Sequence, residues 1–269
     1  MDNLLELFSY GFFQKAFLAA LFASISCGIV GSYIVARRIV FISGGITHAS
    51  FGGIGLAFLL GFNPLIGAVA FAIGAALGIQ FFTKVAHVRE DSSIAIFWSL
   101  GMALGIIFIF MTPGYTPNLM SYLFGNILTV TTSELLWMFA LNVVIILFFS
   151  LYFRQVLSIA FDEEFARAAG LPVSFINYLI ITLVALTVVL NIRVVGIILI
   201  LSLLTIPQAT ANLFTKNFKQ LLILSGIFAF IGTISGLFVS YFMDIPSGAT
   251  IIFTLIVLFG ALRLYKHFF

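Results

Sequence analysis

Charged residues are scarce in this chain. Only 8% of its 269 residues are Asp, Glu, Lys or Arg, whereas a soluble domain carries about 25%. The single cysteine, Cys27, excludes a disulfide framework within the chain. The sequence also has no G-x-x-x-x-G-K-[ST] loop, H-E-x-x-H, paired-cysteine metal motif or G-x-S-x-G, so neither enzyme catalysis nor ATP binding by this chain is predicted.

Apolar residues make up most of the chain instead. They account for 62% of the residues, and the mean hydropathy is +1.25. A helix of about 17–25 apolar residues crosses the ~30 Å hydrocarbon core of a bilayer. The sequence therefore predicts an all-α, polytopic transmembrane bundle, a single domain over 1–269, with about nine spans and eight as the alternative. The predicted spans are 11–36, 45–61, 64–84, 93–111, 133–153, 176–192, 194–214, 220–242 and 247–265.

The basic residues indicate the orientation of these spans. If the amino terminus lies outside and the spans alternate, ten of the twelve Lys and Arg fall in the inside links, as the positive-inside rule predicts. They are scattered singly or in pairs, so the net charge of +3 does not predict a nucleic-acid partner. Residues 1–10 carry Asp2 and Glu6 but no basic residue, unlike a cleaved signal peptide, so we expect the first span to be retained.

The longest hydrophilic link covers residues 154–172. Its segment 162–169 favours a short helix, because acidic residues begin it and alanines continue it. Gly170 and Pro172 form a stop signal. Phe165, Ala168 and Ala169 form a small apolar ridge beside charged residues. Two interpretations are open: a solvated connector, or a helix that docks a cytoplasmic partner.

His48 is the one histidine that falls within a predicted span. Glycine, serine, threonine and alanine surround it, and small residues leave room for an ion, water or a partner helix. Neutral imidazole is a common ligand of divalent transition metals. By its spacing alone, His48 is either a hydrogen-bonded structural residue or a metal ligand.

Residues 37–57 read RRIVFISGGITHASFGGIGLA. They resemble the pattern R-R-x-x-x-x-G-D-x-[LI]-[AS]-H-A of a known family, the ABC-3 membrane subunits of ATP-binding-cassette importers for zinc, manganese and iron(II). Further similarity lies in 162–171, in VGIILILSLLTIPQATA at 195–211, and in DIPSG at 244–248. Residues 119–131 also fit. Together the blocks follow the family's order over nearly the whole chain.

The resemblance implies a permease subunit in the plasma membrane that moves a divalent metal ion by alternating access. Its partners would be a second permease subunit, forming a homodimer, two cytoplasmic ATPase subunits that bind ATP, an extracytoplasmic metal-binding protein, and lipid. It implies no cofactor in this chain, and it makes His48 the candidate metal ligand. The residues implied in coupling to the ATPase are Glu163, Glu164, Ala168, Ala169 and Gly170.

One departure from the family stands beside His48. Many members carry Asp four residues before this histidine, on the same helix face, and here that position is Gly44. Another group must then supply ligands, and Cys27 is one candidate. The metal itself stays open among zinc, manganese and iron(II). The alternative functions are a permease for a metal chelate such as a siderophore or cobalamin, and a secondary transporter that works alone.

Overall fold

The structure, a computed structural model, describes residues 9–113 and 125–268. These residues form twelve α-helices and a 3-10 turn at Ile127–Thr129, and no strand occurs among them. The helices are α1 Gly11–Ala36, α2 Val40–Leu60, α3 Pro64–Lys84, α4 Glu90–Met111, α5 Thr132–Leu151, α6 Phe153–Phe161, α7 Glu163–Ala168, α8 Val173–Val195, α9 Ile197–Leu203, α10 Ile206–Ala211, α11 Phe218–Met243 and α12 Ser247–Phe268.

The predicted all-helical membrane bundle is confirmed. Within the described residues, eight helices are long and apolar enough to cross a membrane: α1 to α5, α8, α11 and α12. The remaining predicted span, 194–214, is not one helix but the two short helices α9 and α10. Of residues 119–131, which also fit the family, the structure describes 125–131, and these contain the 3-10 turn at Ile127–Thr129.

Glycine and proline explain why this span is broken. Gly196 has φ 83°, a left-handed conformation that glycine adopts without strain, and it separates α8 from α9. Pro207 has no N–H, so it cannot donate the helical hydrogen bond to the carbonyl of Leu203, four residues earlier. The side chain of Gln208 supplies the missing donor: its Nε2 lies 3.1 Å from the Leu203 oxygen. The same Nε2 donates to the carbonyl of Cys27 at 2.8 Å.

The broken segment nevertheless runs along most of α1. At one end, Gly196 packs against Gly125, and Gly125 lines the same cavity as Phe13, near the start of α1. At the other end, the Gln208 amide occupies the space beside Gly31, near the end of α1. The two short helices therefore run parallel to α1, as the predicted alternation of nine spans requires.

Contact clustering divides the helices into two compact units. The first unit contains α1, α5 and α9 to α12, and the second contains α2 to α4, α6, α7 and most of α8. In the first unit, α1 packs antiparallel to α11, since Phe13 contacts Phe238 and Gly28 lies against Gly226. The close approach of two glycine backbones is typical of helix packing in lipid.

In the second unit, α2 is packed between α3 and α4 at backbone distance. Gly53 of α2 lies against the carbonyl of Gly67 on α3, and Gly101 of α4 lies against Ala49 of α2. A Cβ atom at either glycine would overlap the facing backbone. This packing fixes the position of α2, the helix that carries His48.

Candidate functional site

His48 lies near the middle of α2 and is half-buried. Its ring stacks on the indole of Trp98 from α4, with the ring centroids 4.1 Å apart and the planes 12° from parallel. Stacking holds the imidazole in one orientation. Sequence reasoning missed Trp98, since nothing in the spacing of α4 marks it.

One nitrogen of the His48 imidazole is not used in a hydrogen bond within the described residues. Among the described residues, its Nδ1 is buried without a hydrogen-bond partner. The nearby hydroxyls bond within α2 instead: Thr47 donates to the Ser43 carbonyl, and Ser50 donates to the Thr47 carbonyl, as such groups often do in membrane helices. In the described part of this chain, no hydrogen bond to Nδ1 therefore supports a structural role for His48.

The small residues around His48 allow close packing against neighbouring helices and do not leave an open space. Gly45 contacts Ile94, and Gly52 contacts the ring of Phe71 and the carbonyl of Gly101. Gly44 is buried and brings no carboxylate. Across residues 9–113 and 125–268, no three His, Cys, Asp or Glu side chains gather closely enough to hold a metal ion. Within these residues, His48 is therefore not part of a three-residue metal cluster.

Cys27 belongs to the first unit, whereas His48 belongs to the second. Its side chain is fully buried, and its carbonyl accepts the hydrogen bond from Gln208. In the described structure, the surroundings of Cys27 are thus those of a packing residue beside the helix break.

A cavity of about 650 Å³ lies next to Trp98 in the second unit. It extends along the start of α2 and α4, with an apolar wall and charged groups at the rim. Its lining residues are Arg38, Ile39, Phe41, Arg89, Glu90, Asp91, Ile94, Ala95 and Trp98. Trp98 also stacks on His48, but His48 itself does not line the cavity.

The link 154–172 folds as two helices, α6 and α7, joined at Asp162. The Asp162 carboxylate caps α7 by accepting from the N–H of Phe165 at 2.9 Å. Gly170, at φ 78°, ends the helix, and the N–H of Leu171 returns to the Ala166 carbonyl at 3.1 Å, as in a Schellman cap. The predicted short helix and its stop signal are present.

The predicted coupling residues do not all face the same way. Glu164, Ala168, Ala169 and Gly170 are exposed, and so is Phe165, which is 65% exposed. The side chain of Glu163 is only 15% exposed. It forms ion pairs with Arg37 at 2.8 Å, Lys84 at 2.8 Å and Arg167 at 3.3 Å. We call Arg37, Lys84, Glu163 and Arg167 the Glu163 cluster.

Opposing effects act on the pKa of Glu163. Partial burial raises it, but the hydrogen bonds and charges of Lys84 and Arg37 outweigh burial and hold the pKa below the ordinary value of 4.5. A carboxyl group with a lowered pKa in the folded state stabilises the fold at neutral pH, and this contribution is lost as the pH falls through the folded-state pKa. The cluster is therefore intact at physiological pH.

The chain matches the model of a known family. The model of the ABC 3 transport family covers residues 9–265. The chain belongs to the ABC 3 transport family. It is a multi-pass protein of the plasma membrane, consistent with its eight long apolar helices in the described residues.

Individual relatives agree with the family. The chain is 39% identical to an uncharacterized membrane protein of Synechocystis sp. over 252 residues, 94% of this chain and 90% of the relative. It is 35% identical over 255 residues to the manganese transport system membrane protein MntC of Halalkalibacterium halodurans, with 95% and 87% covered. The solved structure of PsaBC from Streptococcus pneumoniae in complex with Fab is similar at TM-score 0.84 and 33% identity, covering 96% of this chain and 95% of that chain.

Proposed function

We propose that this protein is the permease subunit of an ATP-driven importer for a divalent transition-metal ion, with manganese as the first candidate cargo. The relative MntC is named for manganese transport and is similar over 95% of this chain. The structural observation that carries the proposal is His48, a half-buried imidazole within a membrane helix whose Nδ1 has no hydrogen-bond partner in the described residues. Polar groups at membrane depth are costly and mark transport pathways.

His48 would contact the metal during passage. One imidazole cannot fill the coordination shell of a transition-metal ion, and the described part of the chain holds no group of three His, Cys, Asp or Glu side chains that could bind the ion. A second copy of the permease, related by a two-fold axis, would bring a second His48, and water would complete the shell. Such a weak, water-rich site suits a transported ion, because cargo must leave as readily as it enters.

The cavity beside Trp98 would give the ion its route to the cytoplasm. Trp98 separates the His48 ring from this space, so a small movement of α4 against α2 would open or close the connection. The rim carries the carboxylates of Glu90 and Asp91, and oxygen ligands suit manganese. The ATPase subunits would drive this movement, since this chain has no nucleotide-binding motif.

The partners follow from the same assignment. Two ATPase subunits would bind the exposed surface of α7, where Phe165, Ala168 and Ala169 form an apolar ridge beside Glu164. An apolar ridge flanked by charge fits a groove on a partner. An extracytoplasmic metal-binding protein would deliver the ion to the opposite face. We propose no bound cofactor in this chain, and ATP is bound by the partner subunits.

Metal uptake tests the proposal directly. The chain is expressed with its ATPase and binding protein in a bacterium that lacks its own manganese and zinc importers, and uptake of radioactive manganese is measured against competing zinc and iron(II). We expect uptake to require the ATPase, and we expect unlabelled manganese to inhibit it more strongly than zinc or iron(II) does. Import of a cobalamin or a ferric siderophore in place of the free ion would contradict the proposal, as would metal uptake that persists without the ATPase.

A further inference from the structure

One carboxylate in the second unit binds basic side chains from three different parts of the chain. Oε2 of Glu163 lies 2.8 Å from Nη2 of Arg37, and Nζ of Lys84 lies 2.8 and 3.0 Å from the two carboxylate oxygens. Arg167, one turn along α7, lies 3.3 Å away. No other carboxylate among the described residues forms ion pairs with more than one basic residue.

The partners of Glu163 stand at the ends of membrane helices. Glu163 is the first residue of α7, and Lys84 is the last residue of α3. Arg37 directly follows the last residue of α1 and lies three residues before α2, the helix that carries His48. The Glu163 cluster therefore connects the short cytoplasmic helix to one end of α2 and to one end of α3.

Arg37 also holds the elbow between α6 and α7. Its Nη1 donates to the carbonyl of Ile159 in α6 at 2.8 Å, while its Nη2 donates to Glu163 in α7. One planar guanidinium thus binds both sides of Asp162, the residue that joins the two helices. Such a two-sided contact ties α6 and α7 to the segment that precedes the start of α2.

Glu163 and Glu164 are neighbours with opposite surroundings. Glu164 is exposed on the surface that carries Phe165, Ala168 and Ala169, whereas the Glu163 side chain is 15% exposed and turned to Arg37 and Lys84. Glu163 therefore does not contribute its carboxylate to the exposed docking surface. Ion pairs of this kind, partly buried and shared among several partners, hold their geometry better than single exposed pairs.

We propose that Glu163 is the positioning residue that passes the movement of the ATPase-bound α7 to α2 and α3. This inference rests on the proposed function and adds a part to it. Glu163 contacts neither the ion nor the ATPase, and it acts through Arg37 and Lys84. When the ATPase moves α7, the cluster pulls the start of α2 along, and with it the helix that holds His48 against Trp98.

The test separates assembly, ATP hydrolysis and transport in one preparation. The complete complex carrying Glu163→Gln is placed in lipid vesicles, and metal uptake and ATP hydrolysis are measured together. We expect the ATPase to stay bound and to hydrolyse ATP, while metal ions imported per ATP fall by about tenfold, within the usual range of coupling between sites. Glu163→Asp keeps the charge on a shorter side chain and should restore part of the ratio.

Two further variants test whether the fall in metal imported per ATP depends on the Glu163 cluster. Arg37→Gln should lower the ratio as Glu163→Gln does, and the double variant should be little worse than either single one, because both remove the same contact. Asp244→Asn is the matched control. It makes the same carboxylate-to-amide change at an exposed position of the first unit, where the left-handed backbone at φ 52° also suits asparagine.

A second readout does not depend on the cargo. Phe41, 78% exposed at the start of α2, is changed to cysteine in a Cys27→Ala background, and its labelling rate is measured with and without ATP. ATP should change the rate when Glu163 is present and leave it unchanged in Glu163→Gln. If the wild-type complex carried no metal, the proposed function would fail while this measurement still decided the role of Glu163.

Three results would overturn the inference. The first is a normal ratio of metal to ATP in Glu163→Gln, and the second is an ATP-dependent change of labelling that the substitution leaves intact. The third is release of the ATPase from the Glu163→Gln complex, since Glu163 would then be a docking contact. A purely structural role would lower the yield of folded complex and reduce hydrolysis and uptake by the same factor.

Discussion

The helices α1 and α2 are the most buried spanning helices of their units, yet they use polar groups in opposite ways. Side-chain amides from other helices bind the carbonyls of α1: Asn142 donates to Phe22 at 3.1 Å, and Gln208 donates to Cys27 at 2.8 Å. A hydroxyl pair, Ser32 with Ser225, adds a further tie. The hydroxyls of α2 bond only to their own helix, and close backbone contacts hold α2 in place.

This difference separates structural polar groups from functional ones. The amide nitrogens of Asn142 and Gln208 tie α5 and the broken segment to α1, and without them the buried carbonyls would lose a hydrogen bond. Within the described residues, Nδ1 of the His48 imidazole on α2 forms no such hydrogen bond. Changes in the first group should therefore affect stability, whereas a change of His48 should affect transport.

The largest effect on folding is expected where α2 packs against α3 without space for a side chain. In Gly53→Val the new side chain meets the backbone of Gly67, which cannot shift without separating α2 from α3. Overpacking of this kind costs about 1–3 kcal/mol and sometimes more, so we expect little folded protein by size-exclusion chromatography. Gly74→Val makes the same change where no other atom lies within 4 Å and should fold normally. Equal yields of the two variants would show that α2 is not held by close packing.

A smaller effect is expected at the helix break of the first unit. Gln208→Leu removes the hydrogen bonds to Leu203 and Cys27, and such bonds in a membrane protein contribute about 0.6 kcal/mol each on average. The thermal unfolding temperature should fall, while uptake per folded molecule stays near the wild-type value. Gln80→Leu, at a half-buried position of α3, is the control for the added apolar side chain. Loss of uptake in stable Gln208→Leu protein would place Gln208 on the transport path. It would contradict the assignment of the amides around α1 to stability.

Much of this fold can be predicted from patterns along the sequence. Eight of the spans could be predicted because apolar runs bounded by Pro, Gly and charged residues leave a helix few alternatives in a bilayer. The short helix α7 could be predicted from local signals, since Asp162 caps it and Gly170 ends it within a few residues. Such signals act through the nearest neighbours in the chain.

Other features depend on distant contacts, and the sequence did not predict them. The break at Pro207 is tolerated because Gln208 donates to Leu203, a compensation that a hydropathy profile does not register. The stacking of Trp98 on His48 joins two helices whose relative rotation comes from glycine packing. The inward direction of Glu163 likewise depends on where Arg37 and Lys84 end up, and composition gives no information on that.

Metal uptake by His48→Gln, compared with uptake by wild type and by His267→Gln, tests the central claim most directly. Glutamine keeps hydrogen bonding and much of the volume but is a weaker ligand for transition metals, and His267 is an exposed histidine at the end of α12. The account predicts that His48→Gln folds and assembles with the ATPase, that its uptake falls by about tenfold or more, and that His267→Gln transports normally. Normal uptake by His48→Gln with unchanged metal preference would contradict the account and leave His48 as a packing residue.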